Sequence, residues 1–238
     1  EQLISTYSDI FSVNPNDVGK CNIVRQEIRL KDENKVCSTP PYRLPHHLLP
    51  VARAYVEKLL ENDIIRASIS PFSSPLMLVR KPGKPDPSKP IVEQYRVVHD
   101  FRRLNAETIK DAYPMRNLFG MIDEVSQGKI FTVIDLSSGY WNQELEEGSK
   151  QKTAFGIPGM GHFEYNRSAQ GLCNSGAAFQ RLLDFVIRGL KAVFVYIDDV
   201  IVVGMDHETH LKQLEEVFIR FRRYGLKCRL SKLQLAAR

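Results

Sequence analysis

The sequence lacks the features that mark several classes of protein. The sequence contains no run of about 18 apolar residues, so it predicts no membrane-spanning helix. Its start, EQLISTYSDIF, has neither the basic nor the apolar region of a signal peptide. The four cysteines show no Cys-x-x-Cys spacing, which argues against a zinc knuckle and predicts buried free thiols in a reducing compartment. Internal repeats and long low-complexity tracts are also missing. We therefore expect an intracellular globular chain without a membrane segment.

The chain carries a moderate excess of positive charge. Its net charge of +5 and its pI near 9.0 permit a polyanionic partner without requiring one. Residues 218–238 include seven basic side chains and no acidic one. Two interpretations of this basic run stay open, a solvated face and a surface that contacts phosphates.

The stretch around which the chain is organised is AVFVYIDDVIVVG, residues 192–204. Apolar, β-branched and aromatic residues flank Asp198 and Asp199, which predicts two buried strands joined at the acidic pair. A lone Asp-Asp pair is most often only a tight turn, because aspartate tolerates turn dihedrals. A second stretch, KIFTVIDL at 129–136, is another apolar run that ends near a carboxylate, Asp135.

These three carboxylates would repel one another if the strand ends met. One of them would then have to take up a proton unless a cation intervened. Mg²⁺ takes oxygen ligands and is usually held by one or two carboxylates together with substrate phosphates. Two such ions about 3.5–4 Å apart clamp the attacking and leaving oxygens of a phosphoryl displacement. The lead hypothesis is a metal-dependent nucleotidyl transfer centre built from Asp135, Asp198 and Asp199.

Several blocks of the chain resemble reverse transcriptases. YIDD at 196–199 is similar to the Tyr-x-Asp-Asp box of that family, and FTVIDLSSGYWNQ at 131–143 precedes it at the family's spacing. Further blocks follow the family's order: SPFSSPLMLVRKPG at 70–83, YRVVHDFRRLN at 95–105, KTAFGIP at 152–158 and QGLCNSGAAFQRLLD at 170–184. The resemblance runs from near Tyr7 to the last residue, in the style of gypsy-type LTR retrotransposons.

The resemblance implies roles for individual residues. Asp135 and Asp198 would bridge two Mg²⁺ ions, with Mn²⁺ as an alternative metal, while Asp199 would be a secondary ligand. The main-chain carbonyl of Leu136 would supply a further oxygen. Positions that resemble the family's nucleotide-binding residues are Lys81, Arg96, Ser138, Gly139, Tyr140 and Gln170.

Several of these positions have a structural alternative. Tyr140 would lie beneath the sugar and exclude a 2′-hydroxyl, although its spacing alone is typical of a core tyrosine. Gly139 would let the ribose and phosphates approach backbone amides. The basic loop RKPGKPDPSKP at 80–90, which contains Lys81, would close over a triphosphate or serve only solubility. Gln170 stands in Ala-Gln-Gly, closer to the retroviral form than to the Pro-Phe-Gly of gypsy elements.

Strands and helices alternate without a regular βαβ period, so we expect an α+β fold with an antiparallel sheet. The resemblance implies a polymerase-type palm with flanking helices, plus a fingers subdomain. It assigns 1–45 to an extended strap, 46–112 and 151–168 to the fingers, and 113–150 and 169–238 to the palm. Both ends look cut from a longer chain that would continue into a thumb, a connection and a ribonuclease H domain. We therefore expect weak binding and poor extension of template-primer.

Local patterns predict several boundaries. We expect an early strand within 21–30, a helix over 49–62 that ends at a left-handed Asn62, and a helix from Tyr113-Pro114 to Gly128. A last helix should begin after Asp206 and end at Gly225. The predicted buried residues of these last two helices are Met115, Leu118, Met121, Ile122, Val125, Leu211, Leu214, Phe218 and Phe221. His207 and His210 are three positions apart, but no third ligand for zinc accompanies them, so we expect exposed first-turn residues.

The resemblance implies an RNA-directed DNA polymerase that adds deoxynucleotides to a primer 3′-hydroxyl and releases pyrophosphate. Its partners would be an RNA or DNA template with primer, deoxynucleoside triphosphates, and the protease, ribonuclease H and integrase domains of a Pol polyprotein. The expected location is a cytoplasmic virus-like particle, with the nucleus as an alternative. Two other functions stay open: an RNA-dependent RNA polymerase palm, and an impaired or domesticated fragment that only binds nucleic acid.

Overall fold

The computed structural model describes residues 2–14, 17–83, 88–115, 117–136 and 138–237. The helices within these ranges are α1 Gln2–Thr6, α2 Leu49–Glu61, α3 Ile91–Gln94, α4 Arg102–Glu107, α5 Leu118–Val125, α6 Glu147–Lys150, α7 Ser175–Val186 and α8 His207–Tyr224. The strands are β1 Cys21–Gln26, β2 Ile65–Ala67, β3 Leu76–Arg80, β4 Tyr95–His99, β5 Ile130–Asp135, β6 Gln143–Leu145, β7 Phe155–Ile157, β8 Gly161–Tyr165, β9 Val193–Tyr196, β10 Asp199–Gly204 and β11 Gln234–Ala237. This mixture of helices and antiparallel sheet confirms the predicted α+β class.

The chain forms two compact units. The first comprises 1–25, 111–144 and 176–238, and the second comprises 26–110 and 145–175. The first unit is built on a four-stranded sheet with the order β11-β5-β10-β9, in which each neighbouring pair is antiparallel. Strands β9 and β10 form the predicted hairpin, and β5 is the predicted second apolar strand.

The core of the first unit lies between its sheet and two long helices. Phe179, Leu182 and Leu183 of α7 and Leu214 and Phe218 of α8 are buried with the apolar residues of β5, β9 and β10. Burial of one such side chain contributes about 1.5–3 kcal/mol, so this cluster dominates the stability of the unit. The sheet edge at which the aspartates lie is therefore fixed on a rigid support.

The capping residues predicted for α8 are confirmed. The Asp206 side chain accepts a hydrogen bond from the Thr209 amide, and Gly225 ends the helix in the left-handed region with φ of +67°. Two burial predictions for this helix are wrong. Leu211 is 52% exposed, and His210 is buried because its Nε2 lies 2.8 Å from Thr132 Oγ1 of β5.

The predicted start of α5 is also wrong. The helix begins at Leu118, because the Asn117 side chain accepts the Phe119 amide and so provides an N-cap that Tyr113-Pro114 cannot. Its predicted buried face is reduced to one fully buried residue, Met121, whereas Leu118 and Ile122 are 40% and 50% exposed and Met115, before the helix, is 41% exposed. The helix ends at Val125, three residues before Gly128.

The second unit contains a three-stranded antiparallel sheet, β2-β8-β7, and the hairpin β3-β4. Helix α2 agrees with its prediction except at its end. Asn62 has φ of −100°, and the left-handed residue is the next one, Asp63, with φ of +53°. Strand β1 ends at Gln26, earlier than the predicted limit of residue 30.

A buried polar cluster holds the second unit together around His99. The Tyr165 hydroxyl lies 2.8 Å from His99 Nε2 and 2.7 Å from the Tyr55 hydroxyl, while the imidazole ring stacks on Phe101. Burial lowers the pKa of His99 from its ordinary 6.5 to about 3. The folded unit therefore requires a neutral imidazole.

This burial predicts a loss of stability in mild acid. Because the pKa of His99 is lower in the folded chain, the unfolded chain binds more protons below pH 6.5. The His99 contribution is complete above pH 6.5 and falls as the pH drops toward 3. Between pH 7 and pH 5 we expect a loss of about 2 kcal/mol in unfolding free energy, measured by urea denaturation. In His99→Gln this part of the pH dependence should disappear; an unchanged pH dependence would contradict the assignment.

Three of the four cysteines are buried free thiols, as predicted, but Cys173 is exposed. Among the described residues, no helix combines the length and the apolar character that a membrane span requires.

Residues 84–87 of the predicted basic loop lie outside the described residues, as do Ser137 and Arg238.

Candidate active site

The sheet register brings the predicted aspartates to one edge of the first unit. Asp199, the first residue of β10, lies opposite Asp135, the last residue of β5. The Leu136 amide donates to the Asp198 carbonyl at 3.2 Å, which ties the end of β5 to the turn between β9 and β10. Ile197 in this turn has φ of +56°. Asp135 therefore meets the distant pair Asp198-Asp199 because two apolar strands pair in antiparallel register.

Burial and mutual repulsion shape the charge of this edge. The pKa of Asp198 is raised above its ordinary value, first by burial and then by the negative charges of Asp135 and Asp199. The Oδ1 atoms of Asp135 and Asp198 are buried and accept no hydrogen bond. Such oxygens are costly to leave without a partner, so the edge can bind a cation or a proton.

Two basic residues beyond α8 approach Asp135. Lys232 Nζ donates to Asp135 Oδ2 at 2.9 Å, whereas Arg229 Nε lies 3.8 Å from Oδ1, which is an ion pair but not a hydrogen bond. A cavity of about 400 Å³ lies here, lined by Val133, Asp135, Asp199 and residues 231–234. Lys232 therefore neutralises Oδ2 of Asp135, while Oδ1 of the same carboxylate has no hydrogen-bond partner.

The donor set fits a hard divalent cation. Asp135 and Asp198 offer carboxylate oxygens, Asp199 is exposed beside them, and oxygen is the ligand that Mg²⁺ prefers. No group of three His, Cys, Asp or Glu side chains stands close enough to hold an ion within the described ranges. The pair of buried aspartate oxygens is thus the feature of this edge that fits a metal ion.

Residues 138–140 lie next to Asp198. Gly139 is buried, and a Cβ at this position would come within 2.6 Å of Asp198 Oδ1 and 3.1 Å of Phe179. The glycine thus makes room for the aspartate, in addition to any role toward a nucleotide. Ser138 has φ of +48°, and the half-buried Tyr140 packs edge-on against Phe179. Burial and the Asp198 charge raise the pKa of Tyr140.

The other predicted nucleotide-binding residues belong to the second unit. Arg96 lies on β4 opposite Val79, as expected for a strand residue, and its side chain is exposed. The Lys81 amide donates to the Gln94 carbonyl, and its side chain is exposed beyond the end of β3. Gln170 is an exposed turn residue before Gly171, whose φ is +94°.

Much of the basic run at 218–238 pairs within its own unit. Arg222 binds Asp9, Lys227 binds Asp17, and Arg220 binds Glu216. The described part of the run is therefore largely neutralised by the chain itself. In the second unit, Arg102 pairs with Asp100.

Sequence reasoning missed three residues of the first unit. Lys232 carries no signal beyond its charge, because only the pairing of β11 with β5 brings the segment before it back to Asp135. Gln180 is a polar residue on the inner face of α7 and is 1% exposed. Its position between Phe179 and Leu182 was a signal that a buried hydrogen bond exists. His210 was assigned to solvent from its place in a first turn.

Comparison with known proteins shows to which family this chain is related. The family described as Reverse transcriptase (RNA-dependent DNA polymerase) matches residues 79–238. The chain is 34% identical over 229 residues to the Retrovirus-related Pol polyprotein from transposon 412 of Drosophila melanogaster, covering 95% of this chain and 18% of that protein. It is 39% identical over 164 residues to the corresponding polyprotein from transposon gypsy, covering 68% of this chain and 16% of that protein. The chain thus spans less than a fifth of either polyprotein.

The fold agrees with that of solved structures. The foamy viral protease-reverse transcriptase in complex with RNA/DNA hybrid superposes with a TM-score of 0.86 at 24% identity, covering 98% of this chain and 30% of that chain. Its complex with double-stranded DNA gives 0.80. Divalent-metal dependence is general in the matched family. The 238-residue chain belongs to the reverse transcriptase family.

Proposed function

We propose that this chain is the fingers and palm of an RNA-directed DNA polymerase from an LTR-retrotransposon Pol polyprotein. The observation that carries the proposal is that Asp135 and Asp198 meet where the Leu136 amide donates to the Asp198 carbonyl, and that each has a buried carboxylate oxygen that accepts no hydrogen bond. Membership in the reverse transcriptase family supplies the reaction class. The substrates would be deoxynucleoside triphosphates and a primer annealed to an RNA or DNA template.

Asp135 and Asp198 would hold two divalent ions, Mg²⁺ or Mn²⁺, with Asp199 as a secondary ligand and the Leu136 carbonyl as a further donor. When bound, such ions stabilise the negative charge that develops on the attacking and leaving oxygens of a phosphoryl transfer. The chain's own contribution is to keep the two carboxylates close and fixed. Gly139 leaves space for Asp198, and the sheet register fixes Asp135.

We also propose a set of nucleotide-binding residues. Lys81 and Arg96 would bind its phosphates, Gln170 would lie beside its base and template partner, and Tyr140 with Ser138 and Gly139 would lie beneath its sugar. The exposure of Lys81, Arg96 and Gln170 supports this, since a phosphate ligand must reach them.

The subdomain assignment is also a proposal. We assign 46–112 and 151–168 to the fingers, 113–150 and 169–238 to the palm, and 1–45 to the strap. The division of the chain into compact units near residues 110, 144 and 175 supports the fingers and palm parts of this assignment, whereas the strap is divided between the units at residue 25. Protease, ribonuclease H and integrase domains would be partners in the same polyprotein, and we expect the protein in a cytoplasmic virus-like particle with access to the nucleus.

The direct test is dTTP incorporation on poly(rA)/oligo(dT) under single-turnover conditions, with the chain in excess so that weak binding does not limit the result. We expect addition of a few nucleotides that requires Mg²⁺ and stops with EDTA. Tyr140 predicts that UTP is used at least about tenfold less well than dTTP. Equal use of UTP would favour an RNA polymerase, and primer binding without extension would favour a fragment that only binds nucleic acid.

A further inference from the structure

The turn that carries Asp198 is strained at the preceding residue. Ile197 has φ of +56°, in the left-handed region. In this conformation the Cβ of an L-residue comes too close to a backbone carbonyl oxygen, and a β-branched residue such as isoleucine is a clear outlier here. Such strain persists only where surrounding contacts hold it in place. Because Asp198 follows Ile197 directly in the chain, the backbone conformation of Ile197 affects the direction in which the Asp198 side chain points.

The contact that holds this turn comes from Gln180 on α7. Its Oε1 accepts a hydrogen bond from the Ile197 amide at 3.1 Å, and its Nε2 donates to the Val195 carbonyl at 3.3 Å. The side chain is 1% exposed, so water does not compete for either bond. One amide group therefore binds the end of β9 and the strained residue at the same time.

The orientation of that amide is fixed from its other side. Gln180 Nε2 also donates to Asp184 Oδ1 at 3.1 Å, and an ionised carboxylate can only accept. The remaining oxygen of Asp184 accepts from the Tyr113 hydroxyl at 2.7 Å. The Arg181 guanidinium lies 4.7 Å from the centre of the Tyr113 ring and binds Asp111 through both carboxylate oxygens. The Gln180 oxygen is thus directed toward Ile197.

We propose that Gln180 is a positioning residue that stabilises the left-handed Ile197 and so holds Asp198 toward Asp135. This inference rests on the proposed function, since it names what orients a carboxylate of that site. Removal of the two hydrogen bonds would let the turn relax to an unstrained conformation. The Asp198 carboxylate would then shift while the apolar core of α7 stays intact.

The test is a double-mutant cycle between Gln180→Met and Ile197→Gly. Methionine has nearly the shape of glutamine but cannot make either bond. Glycine adopts positive φ without strain and no longer needs the support. We expect Gln180→Met to lower kcat for dTTP about 10–100-fold with KM within about threefold, because a shift of about 1 Å costs this much. In the Ile197→Gly background the same substitution should cost no more than about threefold.

Two readouts do not depend on turnover. Hydrogen exchange of the Ile197 amide should accelerate at least about tenfold in Gln180→Met, since its acceptor is gone. Mn²⁺ affinity, measured by electron paramagnetic resonance, should fall several-fold, and this loss should also shrink in the Ile197→Gly background. The control is Gln143→Met, which removes another buried glutamine of the first unit, bonded to the Val24 and Ala178 carbonyls. It should reduce stability without coupling to Ile197.

The outcomes separate this inference from the proposed function. If the parent chain neither incorporates dTTP nor binds Mn²⁺, the proposed function is wrong. If the parent does both and Gln180→Met matches it, the positioning role is wrong. An equal loss for Gln180→Met in both backgrounds, or an equal coupling for Gln143→Met, would also overturn the role, because it would indicate general destabilisation.

Discussion

Asp198→Asn should abolish Mg²⁺-dependent dTTP incorporation and stabilise the fold at the same time. Loss of a carboxylate that holds the ions is expected to cost at least about 10³-fold in the rate of the chemical step. The same change removes the negative charge of a half-buried carboxyl group whose pKa is raised by burial and by Asp135 and Asp199. We therefore expect a melting temperature roughly 2–4 °C higher than that of the parent.

Single-turnover extension and thermal unfolding of the same preparation measure both effects. The matched control is Asp123→Asn on the exposed side of α5, which removes one negative charge away from the sheet edge and should change neither quantity. An inactive Asp198→Asn variant that is also less stable would indicate a structural aspartate. Retention of activity would remove Asp198 from the site.

Gly139→Ala is the second substitution with a large expected effect. The added methyl group would lie 2.6 Å from Asp198 Oδ1, closer than Cβ atoms are found to other atoms, and 3.1 Å from Phe179, which is a tight contact. Phe179 is fully buried in the core, so the aspartate has to move. A displacement of about 1 Å predicts a loss of 10–100-fold in kcat, with the fold retained.

Gly120→Ala provides the control for this substitution. It adds the same methyl group to the same unit, but nothing lies within 4 Å of the new Cβ. Because Gly120 is inside α5, alanine should stabilise the chain by about 0.5–1 kcal/mol and leave incorporation unchanged. Equal rates for Gly139→Ala and the parent would show that the close approach to Asp198 does not matter for catalysis.

The sequence predicted the parts of the fold that follow from strong local periodicity. The strands around Asp198 and Asp199, the strand ending at Asp135 and helix α2 all follow from apolar runs with clear breaks. The cap at Asp206 and the stop at Gly225 were equally predictable, because both depend on residues within one turn.

The missed features depend on contacts between distant residues. Asn117 displaces the expected start of α5 through its own side chain, while Tyr113 is engaged with Asp184 instead. His210 is buried because Thr132, 78 positions away, offers it a hydrogen bond. Lys232 reaches Asp135 only through the pairing of β11 with β5. Periodicity carries no information about such pairs.

The Lys232 contact also indicates which of the two carboxylates binds the first divalent ion. Asp135 is already neutralised on one side by a lysine, so a divalent ion has to share or replace this partner. Within the described residues, Asp198 has no such basic partner at hydrogen-bond distance, and its buried Oδ1 accepts no hydrogen bond. We expect the first ion to bind mainly on the side of Asp198.

The central claim is that Asp135 and Asp198 together bind divalent ions, and Mn²⁺ binding measured by electron paramagnetic resonance tests it most directly. Parent, Asp135→Asn, Asp198→Asn and the control Asp123→Asn are titrated in the presence of dTTP. The account predicts that each of the first two substitutions weakens Mn²⁺ binding at least about tenfold, while Asp123→Asn binds like the parent. Unchanged Mn²⁺ affinity in both Asp135→Asn and Asp198→Asn would contradict it.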